Sequence, residues 1–206
     1  MLLSRREARS IADRLLAGSK TDGCEIVLRG GREQNLRFAN GGATTNRTAE
    51  RLTLRIAAHA QERVGVVEIA SFNEAAGLRA LAKAEEIARA LPHDPDYAPP
   101  LEPQRYARSN LYSEETAALS LDTLASCAGL AIEEARARDV AGFGQVACGA
   151  SFVARATSAG LFCYERQSAI ELSTTARNRT DAWSGWAGAK TIAAAGLDAA
   201  ALARRA

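Results

Sequence analysis

The side chains best suited to chemistry in this 206-residue chain are few: two histidines and four cysteines. His59 runs into Ala60-Gln61-Glu62-Arg63, a strand end or turn, and His93 stands among prolines in Pro92-His93-Asp94-Pro95. A zinc site needs three or four ligands converging on one point, commonly with two histidines on one side of a helix. Neither histidine has a second at such spacing. His93, Asp94 and Asp96 form one further cluster, for which a solvated loop is the preferred reading. A nucleophilic serine or cysteine needs a nearby base, yet no G-x-S-x-G elbow is present and both histidines fall in loop-like settings. The expectation is a chain with no metal, no cofactor and no catalytic residue of its own.

Cys24, Cys127, Cys148 and Cys163 form no C-x-x-C pair and sit in apolar patterns, as packed free thiols do in a reducing compartment. Cys148 and Cys163 stand on neighbouring predicted strands, where packed thiols are preferred over a redox pair. Gly142, Gly144 and Gly149 follow a helix and lie within a strand. A phosphate loop has the opposite order, so close backbone packing or a bulge is the better account. Trp183 and Trp186 flank Ser184-Gly185 in a small-residue loop. Exposed tryptophans anchor ligands or partners, and capping the core is the equal alternative. Arg37, Phe38 and Asn40, in Asn35–Asn40 before Gly41-Gly42, mark a short strand ending in a turn and complete the candidate surface.

Composition limits the partners. Basic residues number 26 and acidic residues 24, for a net charge of +2 with no basic block. That balance argues against a nucleic-acid groove. No apolar run reaches the ~20 residues that cross a bilayer. The first 16 residues are interrupted by Arg5, Arg6, Glu7, Arg9, Asp13 and Arg14, unlike a signal peptide. No membrane contact is expected, and the cytoplasm is the default location.

Several elements must position these residues. Ala8, Ile11, Ala12, Leu15 and Leu16 repeat at helical spacing over 4–17, with Ser4 and Glu7 as a capping box and Gly18 as a stop. Cys24 to Leu28 reads as a strand with Gly30-Gly31 as its turn. Leu52–Ala57 and Val64–Ala70 read as a hairpin joined by Gln61-Glu62-Arg63. Asn73 caps a helix to about Ala90, with Leu78, Leu81, Ala82, Ile87 and Leu91 along its buried side. A second long helix runs from Ser120 to Arg138 on Leu121, Leu124, Ala128, Ala131, Ile132 and Ala135. Gly142–Thr157 and Leu161–Ala176 follow as strands around Ser158-Ala159-Gly160, and a helix begins near Leu197.

All five prolines fall within 92–113, where neither helix nor central strand can persist. The chain therefore divides into an α+β amino-terminal domain (1–91), a proline-rich connector (92–113) and a second α/β segment (114–206). The last is read as the start of a larger domain truncated at its carboxyl end, since it finishes inside a helix. The class is α+β, mostly antiparallel strands with helices packed on one face.

The succession of features resembles the amino-terminal portion of the TldD/PmbA family. It comprises an initial helix, a strand with Glu25, Leu36-Arg37-Phe38-Ala39-Asn40, the alternating strand with Arg55, Val64-Gly65-Val66-Val67, the helix 74–90 and Pro92-His93-Asp94-Pro95-Asp96. Ala156-Thr157-Ser158-Ala159-Gly160, Leu161-Phe162 and Ser184-Gly185-Trp186-Ala187-Gly188 extend it over nearly the whole chain. This family includes zinc-dependent peptidases, and part of it is called modulator of DNA gyrase. Its full-length members are about twice this long, and its peptidase members carry H-E-x-x-x-H beyond the region present here.

The resemblance implies a non-catalytic portion that helps enclose an unfolded peptide substrate and forms a homo- or hetero-dimer, with zinc and proteolysis residing elsewhere. It gives Arg37 and Asn40 a role as donors to peptide carbonyls while Phe38 points into the core; stabilising the turn is the other reading, and the preferred one. A non-catalytic partner subunit and a free-standing binding module are the alternatives.

Overall fold

The computed structural model describes residues 2–206 apart from Arg108, Arg179 and Asp181. The elements in order are α1 (Arg5–Ala17), β1 (Gly23–Ala39), β2 (Gly42–His59), β3 (Val64–Ala70), α2 (Glu74–Ala90), α3 (Glu114–Ala117), α4 (Leu121–Ala137), β4 (Ala141–Thr157), β5 (Phe162–Arg177), β6 (Ser184–Thr191) and α5 (Ala199–Arg205). The strands form one six-stranded sheet in the order β3-β2-β1-β4-β5-β6. β2 and β3 pair antiparallel from Thr53–Ala70 to His59–Val64, and β5 and β6 from Ile170–Thr191 to Arg177–Ser184. The class is thus α+β, an antiparallel sheet with helices packed on it.

The caps at Ser4 and Asn73 appear where the sequence puts them, and Ser120 and Asp198 are two that it does not single out as caps. Ser4 and Glu7 form the reciprocal capping box of α1, and Gly18 ends that helix. Asn73, Ser120 and Asp198 each accept a backbone N–H from the first turn of α2, α4 and α5. Each such bond satisfies a donor that the helix itself leaves unpaired, and contributes about 1 kcal/mol.

Two compact units share the long strands. The first takes residues up to Gly31, Glu50–Ser109 and Ser151–Arg166; the second takes Arg32–Ala49, Asn110–Ala150 and Gln167–Ala206. The proline-rich stretch divides the order of elements along the chain, whereas the packing units are each assembled from several segments. Residues 92–113 contain no helix or strand among the described positions.

The first unit buries Cys24, Ile26 and Leu28 of β1, Leu54, Ile56 and Ala58 of β2, and Phe152, Ala154 and Ala156 of β4. They lie against Ala8, Ala12 and Leu15 of α1 and Ala80, Leu81, Ala84 and Ala88 of α2. The second buries Leu36 and Phe38 of β1, Val146 and Cys148 of β4, and Ile170 and Leu172 of β5, against Leu124, Ala128 and Ala131 of α4 and Ala199 of α5. On the strands, the even-numbered positions fill both cores, as the two-residue period of a strand requires. Each fully buried Leu, Ile or Phe contributes about 1.5–3 kcal/mol.

Four expectations are corrected. Gly30-Gly31 is not a turn: both lie inside the continuous β1, and the left-handed residues sit at Asn40 (φ 49°) and Gly41 (φ 85°) instead. Residues 42–51 extend β2 well before Leu52. Ser184 to Gly188 is strand β6 rather than a loop.

The buried side of α2 is also different. Leu78 and Leu91 are exposed, while Gly77, Ala80, Ala84, Glu85 and Ala88 face inward. Gly65 explains this. A Cβ there would run into the Ala84 carbonyl oxygen and Ala88 nitrogen, so α2 rides directly on the β3 backbone. Only small residues permit that approach. Glu85 is buried but satisfied, accepting from the Lys20 N–H at 2.6 Å and from Arg89 at 3.2 Å.

Candidate functional site

The two histidines occupy different settings within the first unit. His59 ends β2 and is buried, its ring edge-on to Tyr97 at 5.7 Å, and its Nδ1 has no partner among the described residues. Burial disfavours the charged imidazolium and lowers its pKa below 6.5, an effect the Glu25 carboxylate partly opposes. His93 is exposed, with Nε2 2.6 Å from a Glu62 carboxylate oxygen. Asp94 turns inward on its own loop, accepting from the Asp96 N–H at 3.0 Å. No group of three His, Cys, Asp or Glu among the described residues is arranged to hold a metal ion.

The thiols are free. Cys24 and Cys148 are buried, and desolvation pushes Cys24 up to about 11. Cys148 and Cys163 belong to different units.

The helix-free side of the first unit is occupied. The connector lays Tyr97 on His59, presses Pro100 against Gly23, and accepts the Thr157 hydroxyl on the Leu101 carbonyl at 2.7 Å. Beside it, Glu25 lies between Arg55 at 3.4 Å and Arg155 at 3.8 Å, a cross-strand ladder of alternating charge. An open cleft of about 590 Å³ runs along the connector, lined by Asp22, Pro99, Pro100, Leu101, Glu102 and Ser158.

The helix-free side of the second unit carries Arg37 and Trp186 of the predicted residues. Arg37 is exposed on β1. Phe38 is 2% exposed, its ring seated over Gly144, where a Cβ would come within 2.5 Å of the ring edge. Phe38 is therefore a core residue and offers nothing to a ligand at the surface. Asn40 takes the left-handed conformation that a tight Asn-Gly hairpin turn demands, and its N–H donates to the Gly142 carbonyl at 3.1 Å. Its conformation is thus committed to the turn and its N–H to the neighbouring β4.

Trp183 and Trp186 are 56% and 66% exposed, which removes the core-capping reading. Trp183 closes the β5–β6 connection through backbone bonds with Asn178. Trp186 is held in place on two sides. Its indole N–H donates to the Ser173 hydroxyl at 2.9 Å, and its ring covers Gly188, where a Cβ would sit 2.7 Å from the indole. The small-residue run in Ser184-Gly185-Trp186-Ala187-Gly188 is the cradle of a fixed, exposed aromatic plate.

Arg37 and Trp186 share a sheet side but do not meet, because β4 and β5 lie between their strands, a separation of three strand spacings of about 4.8 Å. Phe143 and Arg177, which the sequence does not single out, fill the gap: the guanidinium lies 5.6 Å from the ring centroid. Their strands were legible, but not their pairing across β4 and β5. The resulting surface combines a fixed aromatic, a second ring capped by a cation, and hydroxyls of Ser173 and Thr175. It is suited to apolar side chains and main-chain polar groups, with the Glu171–Lys190 ion pair at 3.8 Å beside it.

Solved structures of three proteins superpose on nearly the whole chain. TldE from Thermococcus kodakarensis matches 98% of it with TM-score 0.83 and 15% identity. A candidate modulator of a DNA gyrase from Thermotoga maritima matches 96% with TM-score 0.83 and 19% identity. Another, from Bacteroides thetaiotaomicron, matches 96% with TM-score 0.78 and 16% identity. The chain has the fold of these proteins. It spans 46–47% of their length. No family model matches the sequence, and no curated protein does either. In this TldE-like fold no described helix is long and apolar enough to cross a membrane.

Proposed function

We propose that this chain acts as the amino-terminal, non-catalytic portion of a TldD/PmbA-type metallopeptidase, helping to enclose an unfolded peptide and to form a dimer with itself or a related subunit. The observation that carries the reading is the fixed, exposed Trp186 plate on the helix-free side of a unit whose fold is that of TldE. Extended peptide lying there would place apolar side chains on Trp186 and Phe143, and its carbonyls within reach of Arg37. Trp183, at the adjoining connection, contributes a second aromatic edge. Zinc and proteolysis belong, on this reading, to a region outside these residues. Free buried thiols suit a cytoplasmic setting.

Titration of the chain with a reduced, carboxymethylated, unstructured polypeptide tests this directly. Tryptophan fluorescence should change saturably while the polypeptide stays intact on a gel. Absence of a saturable change, or cleavage by the purified chain, contradicts the proposal.

A further inference from the structure

The connector is fastened to the first unit at two ends and leans on it between them. Upstream, a Glu62 carboxylate oxygen lies 2.6 Å from His93 Nε2, and the Glu62 carbonyl accepts the Asp94 N–H at 3.2 Å. Downstream, the Leu101 carbonyl accepts the Thr157 hydroxyl at 2.7 Å. Among the described residues, no hydrogen bond ties 95–100 to a strand; the Asp96 and Tyr97 N–H groups both donate back to Asp94. Two side chains hold this span by packing. Tyr97 stands edge-on to His59 at 5.7 Å, and Pro100 fills the space where a Gly23 Cβ would be 2.7 Å away. Every other residue of 92–100 is exposed.

His59 beneath Tyr97 is 7% exposed, and its Nδ1 has no partner among the described residues. A neutral imidazole tolerates that setting. An imidazolium adds a second N–H and a charge, which burial without a partner makes costly. The acidic groups around it are engaged elsewhere. Glu25 on β1 lies between Arg55 and Arg155. Asp22, ahead of β1, accepts the Gln61 N–H at 2.8 Å, and Glu62 in the β2–β3 turn faces His93. On β3 the cross-strand neighbour is apolar Val64. In the connector, Asp94 accepts from Asp96.

We propose that residues 93–101 form an acid-released strap: neutral His59 latches Tyr97, and protonation of that imidazole lifts the span and opens the covered side of the first unit at Gly23 and His59. The strapped state keeps His59 neutral, its pKa lowered by burial, whereas the lifted state gives the ring to water. The lifted state therefore takes up the proton and gains population as pH falls through about 6.5. His93 works in the opposite sense. Charging it strengthens its pairing with the Glu62 carboxylate, so the same acid keeps the upstream end anchored and the span swings from Asp94. The core beneath does not follow, because Ile26, Leu28, Leu54 and Ile56 pack against the helices on the other side of the sheet.

Residue-resolved amide exchange of the whole chain, referenced at each pH to unstructured-peptide rates, tests this. The reporter is the Tyr97 N–H, whose bond to the Asp94 carbonyl breaks when the span swings. Between about pH 7.5 and about pH 5.5 its protection should fall by up to about tenfold, the limit set by one proton titrating near 6.5. The Asp94 N–H and Ile56 in the β2–β3 ladder should keep theirs. His59→Gln, which cannot take up the proton, should abolish the response, and His93→Gln should retain it. Unchanged protection at Tyr97 overturns the proposal. So does an equal loss at Ile56, which is unfolding of the unit, or a full response in the His59→Gln chain, or none in the His93→Gln chain. None of these outcomes involves Trp186, so failure here leaves the proposed function to its own test.

Discussion

The two packing units are built on one plan and differ on the side that carries no helix. In the first, the connector covers that side through Tyr97, Pro100 and Leu101, and what remains is the charge ladder Glu68–Arg55–Glu25–Arg155. In the second, the same side is open and aromatic, with Trp186 held flat over Gly188 and Phe143 under Arg177. The contrast separates stability from recognition. A side closed by proline-fixed backbone and paired charges is finished, whereas a rigid exposed indole has given up solvent-shielding that folding alone would favour. The second side is where a ligand gains most.

The comparison can be broken core by core. Phe38→Ala empties the centre of the second unit and should lower stability by about 3–5 kcal/mol in urea denaturation. Gly65→Ala drives a methyl group into the α2 backbone and should lower it by about 3 kcal/mol in the first unit. Tolerance of that methyl would show that α2 does not ride on β3. Ser4→Ala removes half of a capping box and should cost about 1 kcal/mol, read as a drop in melting temperature.

His59 supplies a pH test of the covered side. Its folded pKa is lowered, so an unfolded chain takes up a proton near 6.5 that the folded chain refuses. Stability should therefore fall as pH drops below 6.5 and level off below the folded value. His59→Gln should flatten that slope, and an unchanged slope would remove His59 as its source. Trp186→Ala should have the smallest effect on stability, about 0.5 kcal/mol or less, because the side chain is exposed. It should nevertheless abolish the fluorescence response to unstructured polypeptide.

Much of the fold was legible because local signals agree with it. The caps at Ser4 and Asn73, the helix starting at Ser120 and the strand Val64–Ala70 lie where the residues place them. What escaped was set by contacts distant in sequence. The buried side of α2 follows backbone approach at Gly65 rather than side-chain hydrophobicity, so the largest apolar residues misdirect the reading. Polar Thr44 to Thr48 carry no alternation, because both sides of that part of β2 face solvent. At the candidate site, both tryptophans and Arg37 were identifiable as types, while Phe38 belongs to the core. Phe143 and Arg177 lie on separate strands, 34 positions apart in the sequence, and only pairing of the strands brings them together.

Amide hydrogen exchange with and without an unstructured polypeptide tests the central claim most directly, since it reports which side of which unit is engaged. The account predicts slowed exchange in 143–147, 171–177 and 184–190, with 22–27 and 97–106 unchanged. Protection confined to the connector and the cleft beside Asp22 and Glu102, or no protection at all, would contradict it.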